Sequence, residues 1–336
     1  MIRSLLPAFA LAATLGMVSA AGISYASAAP PRPAGSWAPI GLSLGGAEIA
    51  AAQPEQARPA PVDQAGWAAR KQRVRLPNGI ELAYVELGNP AGRPVLLLHG
   101  YTDTSRVWSI VAPWLADYRL LIPDQRGHGA SSAPDCCYAM SEFANDARLF
   151  LDALGIERTA IVGSSMGSMV AQVFAAEYPG RVDRIALAGS TALVPVRRGD
   201  AFWTSIMALR DPIASNADFL REFSPGASPT PVDATFVRYF DREMAAVPFH
   251  VWRAVPRQLL DVPIGRYAPD IGADVLILSG GRDPIFPAEH HRALVQAYPR
   301  AEAHVFADLG HNLVVERPHE VGPVLAAFLR RPLAIR

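Results

Sequence analysis

Thr159-Ala160-Ile161-Val162-Gly163-Ser164-Ser165-Met166-Gly167-Ser168 is the stretch on which the fold turns: an apolar run of strand length, a Gly-x-Ser-x-Gly turn, and then a helical segment of small and apolar residues reaching Tyr178. Ser165 has glycine two positions before and two after it. A sharp strand-to-helix turn needs such glycines, because side chains there would strike the strand or helix on either side. Three fixed residues recur by chance in roughly one chain in ten of this length at average usage of Gly and Ser. Placement between a strand and a helix therefore carries more of the argument than the motif does.

The same alternation extends in both directions. Upstream, Arg73 to Leu76 and Ile80 to Leu87 flank Pro77-Asn78-Gly79, two β-like runs around a turn signal. Continuous apolar runs follow at Val95 to Leu98, Tyr118 to Ile122, Thr159 to Val162, Arg184 to Ala188 and Val275 to Leu278. Helical segments are expected at Met140 to Leu154, Gly167 to Tyr178, Ala288 to Ala297 and Pro318 to Leu329. The pattern predicts an α/β fold, a mostly parallel twisted sheet with helices on both faces. Between residues 193 and 262 the strands stop, and helix-length pieces rich in aromatics appear, namely Ala201 to Leu209, Asp233 to Met244 and Phe249 to Leu260. This reads as a helical cap inserted into a core of residues 71–192 and 263–336.

Residues 1–28 read as a secretory signal, with Arg3 ahead of an uncharged apolar stretch and Ala26-Ser27-Ala28 as the preferred cleavage site over Val18-Ser19-Ala20. The competing reading is an uncleaved membrane anchor, since Leu5 to Ile23 carries no charge. With the signal removed, no stable membrane span is expected, and the location is periplasmic or secreted. Residues 29–70 are rich in Pro and Ala without an apolar period, and are expected to be a disordered linker. Lys and Arg together number 31, as do Asp and Glu, so bulk charge offers nothing to nucleic acid. Lys71 is the only lysine. Any mechanism needing a lysine well inside the fold is expected to lose its residue, which removes Walker-type phosphate binding, pyridoxal Schiff-base chemistry and a Ser-x-x-Lys nucleophile.

A serine hydroxyl needs a base, and the base needs a carboxylate to hold its tautomer. Val275 to Leu278 runs into Ser279-Gly280-Gly281-Arg282-Asp283, which sets Asp283 in a loop at a strand's C-terminal end, where open α/β sheets carry their working residues. His311 follows in Leu309-Gly310-His311-Asn312, before the last helix. The order Ser165, Asp283, His311 is that of an elbow nucleophile with its acid and base. The rivals are weaker. His99 adjoins a buried strand and is expected to organise a turn, as are His128 and Asp124. His290 and His291 fall on an expected exposed helix, Asp308 ends a strand, and no zinc spacing occurs. Two backbone amides are expected to face a developing oxyanion, those of Met166 and Tyr101.

Together, His99-Gly100, Asp124-Gln125-Arg126-Gly127-His128-Gly129, the Ser165 elbow, Gly281-Arg282-Asp283 and Gly310-His311 resemble the α/β-hydrolase superfamily, in its lid-containing esterase and lipase-like branch, over about Arg73 to Leu329. The resemblance implies a cap after the sixth strand, no cofactor, and a triad of Ser165, His311 and Asp283. Members that open epoxides or cleave carbon–halogen bonds have an aspartate at the elbow, where this chain has Ser165. Carbon–carbon hydrolases commonly carry Asn and a second Gly where this chain has Ser164 and Ser168. The expected reaction is hydrolysis of a small-molecule carboxylic ester or lactone through an acyl-enzyme. Carbon–carbon hydrolysis and cofactor-free perhydrolysis stand as alternatives on the same triad, and a non-catalytic ligand-binding protein as a further one. Trp108, Trp203, Trp252 and Phe286 are the expected substrate-binding side chains. Cys136 and Cys137 are adjacent, and either two thiols or a labile bond fits.

Overall fold

The computed structural model describes residues 59–332. The expected signal and most of the expected linker lie outside the described residues. Eight strands form one sheet: β1 (Gln72–Arg75), β2 (Glu81–Gly88), β3 (Pro94–Leu98), β4 (Arg119–Pro123), β5 (Thr159–Ser164), β6 (Val182–Ala188), β7 (Asp274–Gly280) and β8 (Glu302–Phe306). Their spatial order is β1-β2-β4-β3-β5-β6-β7-β8. β1, β2 and β4 pair antiparallel, and every pair from β4 through β3 to β8 is parallel.

Burial along the strands explains the sequence pattern. Every residue of central β5 is buried, which requires cover on both of its faces and leaves only apolar or small residues there. At the edge, β8 alternates half-buried and exposed residues, and Val305 stands 53% exposed. The connections supply α1 (Met140–Ala153) and α2 (Met166–Glu177), which pack on each other. Between β6 and β7 come α3 (Ala201–Ala208), α4 (Ala217–Phe223), α5 (Ala234–Ala245) and α6 (Phe249–Leu259). The chain then adds α7 (Ala288–Ala297), the short α8 (Leu313–Glu316) and α9 (Pro318–Arg330). α4, too short for a clear period, escapes a reading of the sequence.

Three local expectations need correction. Composition extends the linker to residue 70, yet Trp67 is fully buried, its Nε1 donates to Ser105 Oγ at 3.2 Å, and Gln64 donates to Ser109 Oγ at 2.9 Å. One tryptophan with a pocket to fill outweighs the composition around it. Lys71 is also inside: its Nζ lies 2.6 Å from Asp124 Oδ2, with side-chain exposures of 9% and 0%. Asp124 further accepts from the amides of Ser105 and Ala130, so the lysine serves a buried loop-organising carboxylate. His290 and His291 are half-buried, not exposed, with Nδ1 atoms 2.7 Å from Thr191 Oγ1 and 2.9 Å from Ser279 Oγ. Cys136 and Cys137 are joined in a disulfide.

Candidate active site

Ser165 sits between β5 and α2 with φ 51° and ψ −121°, a positive φ that side chains rarely adopt. The flanking glycines permit it. A Cβ on Gly163 would meet Gly167 O at 2.3 Å, and one on Gly167 would meet Leu98 O at 2.1 Å. The turn thus brings strand, helix and the end of β3 closer than any side chain allows. At its apex Ser165 keeps partial exposure.

Asp283 and His311 come from the loops after β7 and β8. Those loops are sewn together by amides of Gly281 and Arg282, which donate to Phe306 O and Leu309 O, both at 2.8 Å. The result is a continuous relay: Ser165 Oγ to His311 Nε2 is 2.8 Å, and His311 Nδ1 to Asp283 Oδ2 is 2.8 Å. An ionised carboxylate can only accept, so Nδ1 carries the proton and Nε2 is left to accept from the serine hydroxyl. Burial pushes the Asp283 carboxyl up, but the adjacent imidazole and the amides of Ile285 and Phe286, at 2.8 and 2.9 Å, outweigh it and hold the group below the ordinary carboxylate range.

The Met166 amide opens α2 and has no carbonyl of its own helix to bond. Tyr101 lies in the turn from Gly100 to Asp103, closed by Asp103 N–H to Gly100 O at 3.3 Å, with Thr102 at φ 64°. The Tyr101 side chain runs into the insertion. Its hydroxyl donates to Trp252 O, and its ring meets Trp252, Phe202 and Phe223 edge-on with centroids 5.6, 6.1 and 6.1 Å away.

Of the four side chains expected to bind substrate, the structure brings two into contact with this site. Phe286 is buried with its ring 5.3 Å from that of His311, and Trp252 joins the aromatic cluster on Tyr101. The other two share no hydrogen bond or ring contact with Ser165, His311 or Asp283 among the described residues. Trp108 is fully buried in the main hydrophobic core, and half-buried Trp203 carries the Arg198 guanidinium 5.4 Å from its ring centroid. Asp308 is exposed beyond β8. His99 Nε2 accepts from the Gln125 amide at 2.8 Å, and burial lowers its pKa to about 3, which fits a neutral turn organiser.

Three residues of the site are absent from the sequence reading. Glu316 is buried and takes the Gly310 amide on Oε2 at 2.9 Å, fixing the loop just before His311, and burial raises its pKa. Phe219 and Phe223 of α4 complete the aromatic cluster, their rings stacked 5.3 Å apart. An acid turned inward from an otherwise apolar Leu-Val-Val-Glu stretch was the available signal for Glu316; α4 offered none.

Residues 93–318 match the family described by the alpha/beta hydrolase fold. The chain belongs to this family. It is 30% identical over 272 residues to Lipase 1 of Psychrobacter immobilis, covering 76% of this chain and 82% of that one. It is also 30% identical to the 2-hydroxymuconate semialdehyde hydrolase of a Pseudomonas species, over 71% of this chain and 87% of that enzyme. A serine hydrolase-like protein of Danio rerio is 38% identical, but the match spans only 45% of its length and 44% of this chain. A putative aryl esterase from Burkholderia cenocepacia has the same fold, with a TM-score of 0.69 over 78% of this chain and 98% of that chain at 24% identity.

Proposed function

We propose that the protein is a serine hydrolase that cleaves a carboxylic ester or lactone through an acyl-enzyme on Ser165. The unbroken relay from Ser165 through His311 to Asp283, beneath a strained elbow, is the observation that carries this reading. His311 Nε2 takes the Ser165 proton as Oγ attacks the carbonyl carbon, and the oxyanion falls to the amides of Met166 and Tyr101. Collapse breaks the ester C–O bond, with His311 returning the proton to the leaving alcohol. Water then repeats the sequence on the acyl-enzyme and frees the acid. No step asks for a cofactor. Ser165→Ala is expected to abolish hydrolysis of p-nitrophenyl esters and lactones while far-UV circular dichroism stays unchanged; full turnover by that variant ends the proposal.

Carbon–carbon hydrolysis is the second reading, favoured by the match to 2-hydroxymuconate semialdehyde hydrolase over most of that enzyme. Ser168 weighs against it. Where such enzymes commonly have glycine, its hydroxyl lies 2.5 Å from Ser165 O and 2.6 Å from Ser190 Oγ, within a buried polar chain behind the elbow. Turnover of a vinylogous diketone faster than any ester would reverse the order, and a peroxide-dependent halogenation assay separates perhydrolysis. Ligand binding without turnover is the outcome left if no substrate of any of these classes reacts. Export to the periplasm or medium belongs to the same proposal, resting on residues 1–28, with retention as an anchor its alternative. Among the described residues no helix is long and apolar enough to cross a membrane. N-terminal sequencing of the mature protein separates the two.

A further inference from the structure

Asp103 is a carboxyl group that the proposed mechanism does not use. It closes the turn that carries Tyr101: the Gly100 amide donates to Asp103 Oδ2 at 3.0 Å, and the Asp103 amide bonds back to Gly100 O. A Cβ built on Gly100 would stand 2.6 Å from Asp103 Oδ2 and 3.2 Å from the Ser165 Cβ. The Asp103 carboxyl and the Ser165 side chain therefore both pack against the bare face of Gly100. The other carboxyl oxygen has no hydrogen-bond or ion-pair partner among the described residues and is not among their sealed, unpartnered atoms. The residue is enclosed by the fold yet keeps contact with solvent, as a group lining a cleft does.

The chemistry around it is one-sided. Among the described residues no arginine or lysine pairs with it, and burial raises the Asp103 pKa to about 7 against the opposing pull of the Gly100 amide and of His311, which is already committed to Asp283. A substrate group placed there meets a lone acceptor beside the reacting carbonyl.

Resting on the acyl-enzyme reading, we infer that Asp103 is a specificity residue: its free oxygen takes a hydroxyl or ammonium group carried near the scissile carbonyl, and it rejects acyl groups bearing a carboxylate at that place. The hydroxyl gains an acceptor on a carboxyl that is already desolvated and pinned by Gly100, whereas above about pH 7, where Asp103 is ionised, a carboxylate meets like charge in an enclosed space.

The test compares kcat/KM for p-nitrophenyl butyrate, 3-hydroxybutyrate and hemisuccinate at about pH 8.5, where Asp103 is ionised, with fluorophosphonate labelling of Ser165 as a separate readout. The wild-type protein is expected to favour the hydroxy ester over the hemisuccinate by about tenfold or more, the scale of one hydrogen bond to a charged group. Asp103→Asn and Asp103→Ser both keep an oxygen for the Gly100 amide, and either is expected to compress that ratio toward one. A wild-type ratio near one overturns the inference whatever the variants do, and so does a large ratio that both labelled variants retain. Absence of labelling in the wild-type protein instead removes the acyl-enzyme reading, and this inference with it.

Discussion

Replacing Asp283 with asparagine changes one atom and should disable the relay without disturbing its surroundings. In the structure one carboxyl oxygen accepts from the Ile285 and Phe286 amides at 2.8 and 2.9 Å, and the other faces His311 Nδ1 at 2.8 Å. An asparagine carbonyl must stay with the two amides, because turning the NH2 toward them would set donor against donor and leave buried groups unpaired at about 1–3 kcal/mol each. The NH2 then faces Nδ1, which must accept, and the imidazole proton moves to Nε2, pointing at the Ser165 hydroxyl it was meant to deprotonate. Loss of the base in this way lowers kcat by about 10⁴ in serine triads, or about 5 kcal/mol of barrier. The assay is steady-state hydrolysis of p-nitrophenyl butyrate by Asp283→Asn, with KM and the thermal unfolding midpoint followed in parallel. A folded variant keeping more than about a tenth of wild-type kcat would refute the reasoning, since no such loss of catalysis could then be assigned to the tautomer.

Three further outcomes follow from particular contacts. Gly167→Ala drives a Cβ into the Leu98 carbonyl at 2.1 Å and the His99 carbonyl at 2.6 Å, both backbone, so chemical denaturation should show a loss of about 3 kcal/mol or more, or no soluble protein. Lys71→Met strips the counter-ion from fully buried Asp124 and should cost about 3–5 kcal/mol by the same measurement. His99 and His128 are buried with pKa values lowered to about 3 and about 4, so below the unfolded value near 6.5 the unfolded chain binds more protons. Stability should fall from about pH 6.5 down to those values by about 1.4 kcal/mol per pH unit for each histidine, and His128→Asn should flatten the slope between pH 6 and 5 in denaturant titrations.

The sheet, its order of motifs and the three relay residues were legible because each rests on a constraint that sequence records directly. Gly163 and Gly167 mark a turn no side chain can enter, and unbroken apolar runs such as Val95 to Leu98 mark strands covered on both faces. Composition misled where one residue outweighs its neighbours. Trp67 is anchored inside a Pro and Ala-rich stretch, and Lys71 is buried by Asp124, 53 positions away in the chain. Residue type alone does not tell a pocket lining from a core side chain: Trp108 packs in the core, and the half-buried Trp203 ring meets Arg198. Asp103 was silent because its work is to hold a backbone amide, a role that leaves no periodicity and no spacing rule, and Glu316, which holds another, was marked only by its place in an apolar stretch.

Exposure of the wild-type protein to a fluorophosphonate, followed by intact mass and peptide mapping, tests the proposed chemistry most directly. A single adduct on Ser165, lost in His311→Ala, is the expected result. An unlabelled Ser165 in protein that still hydrolyses esters would contradict the account, because the hydroxyl 2.8 Å from His311 Nε2 would then not be the group that attacks.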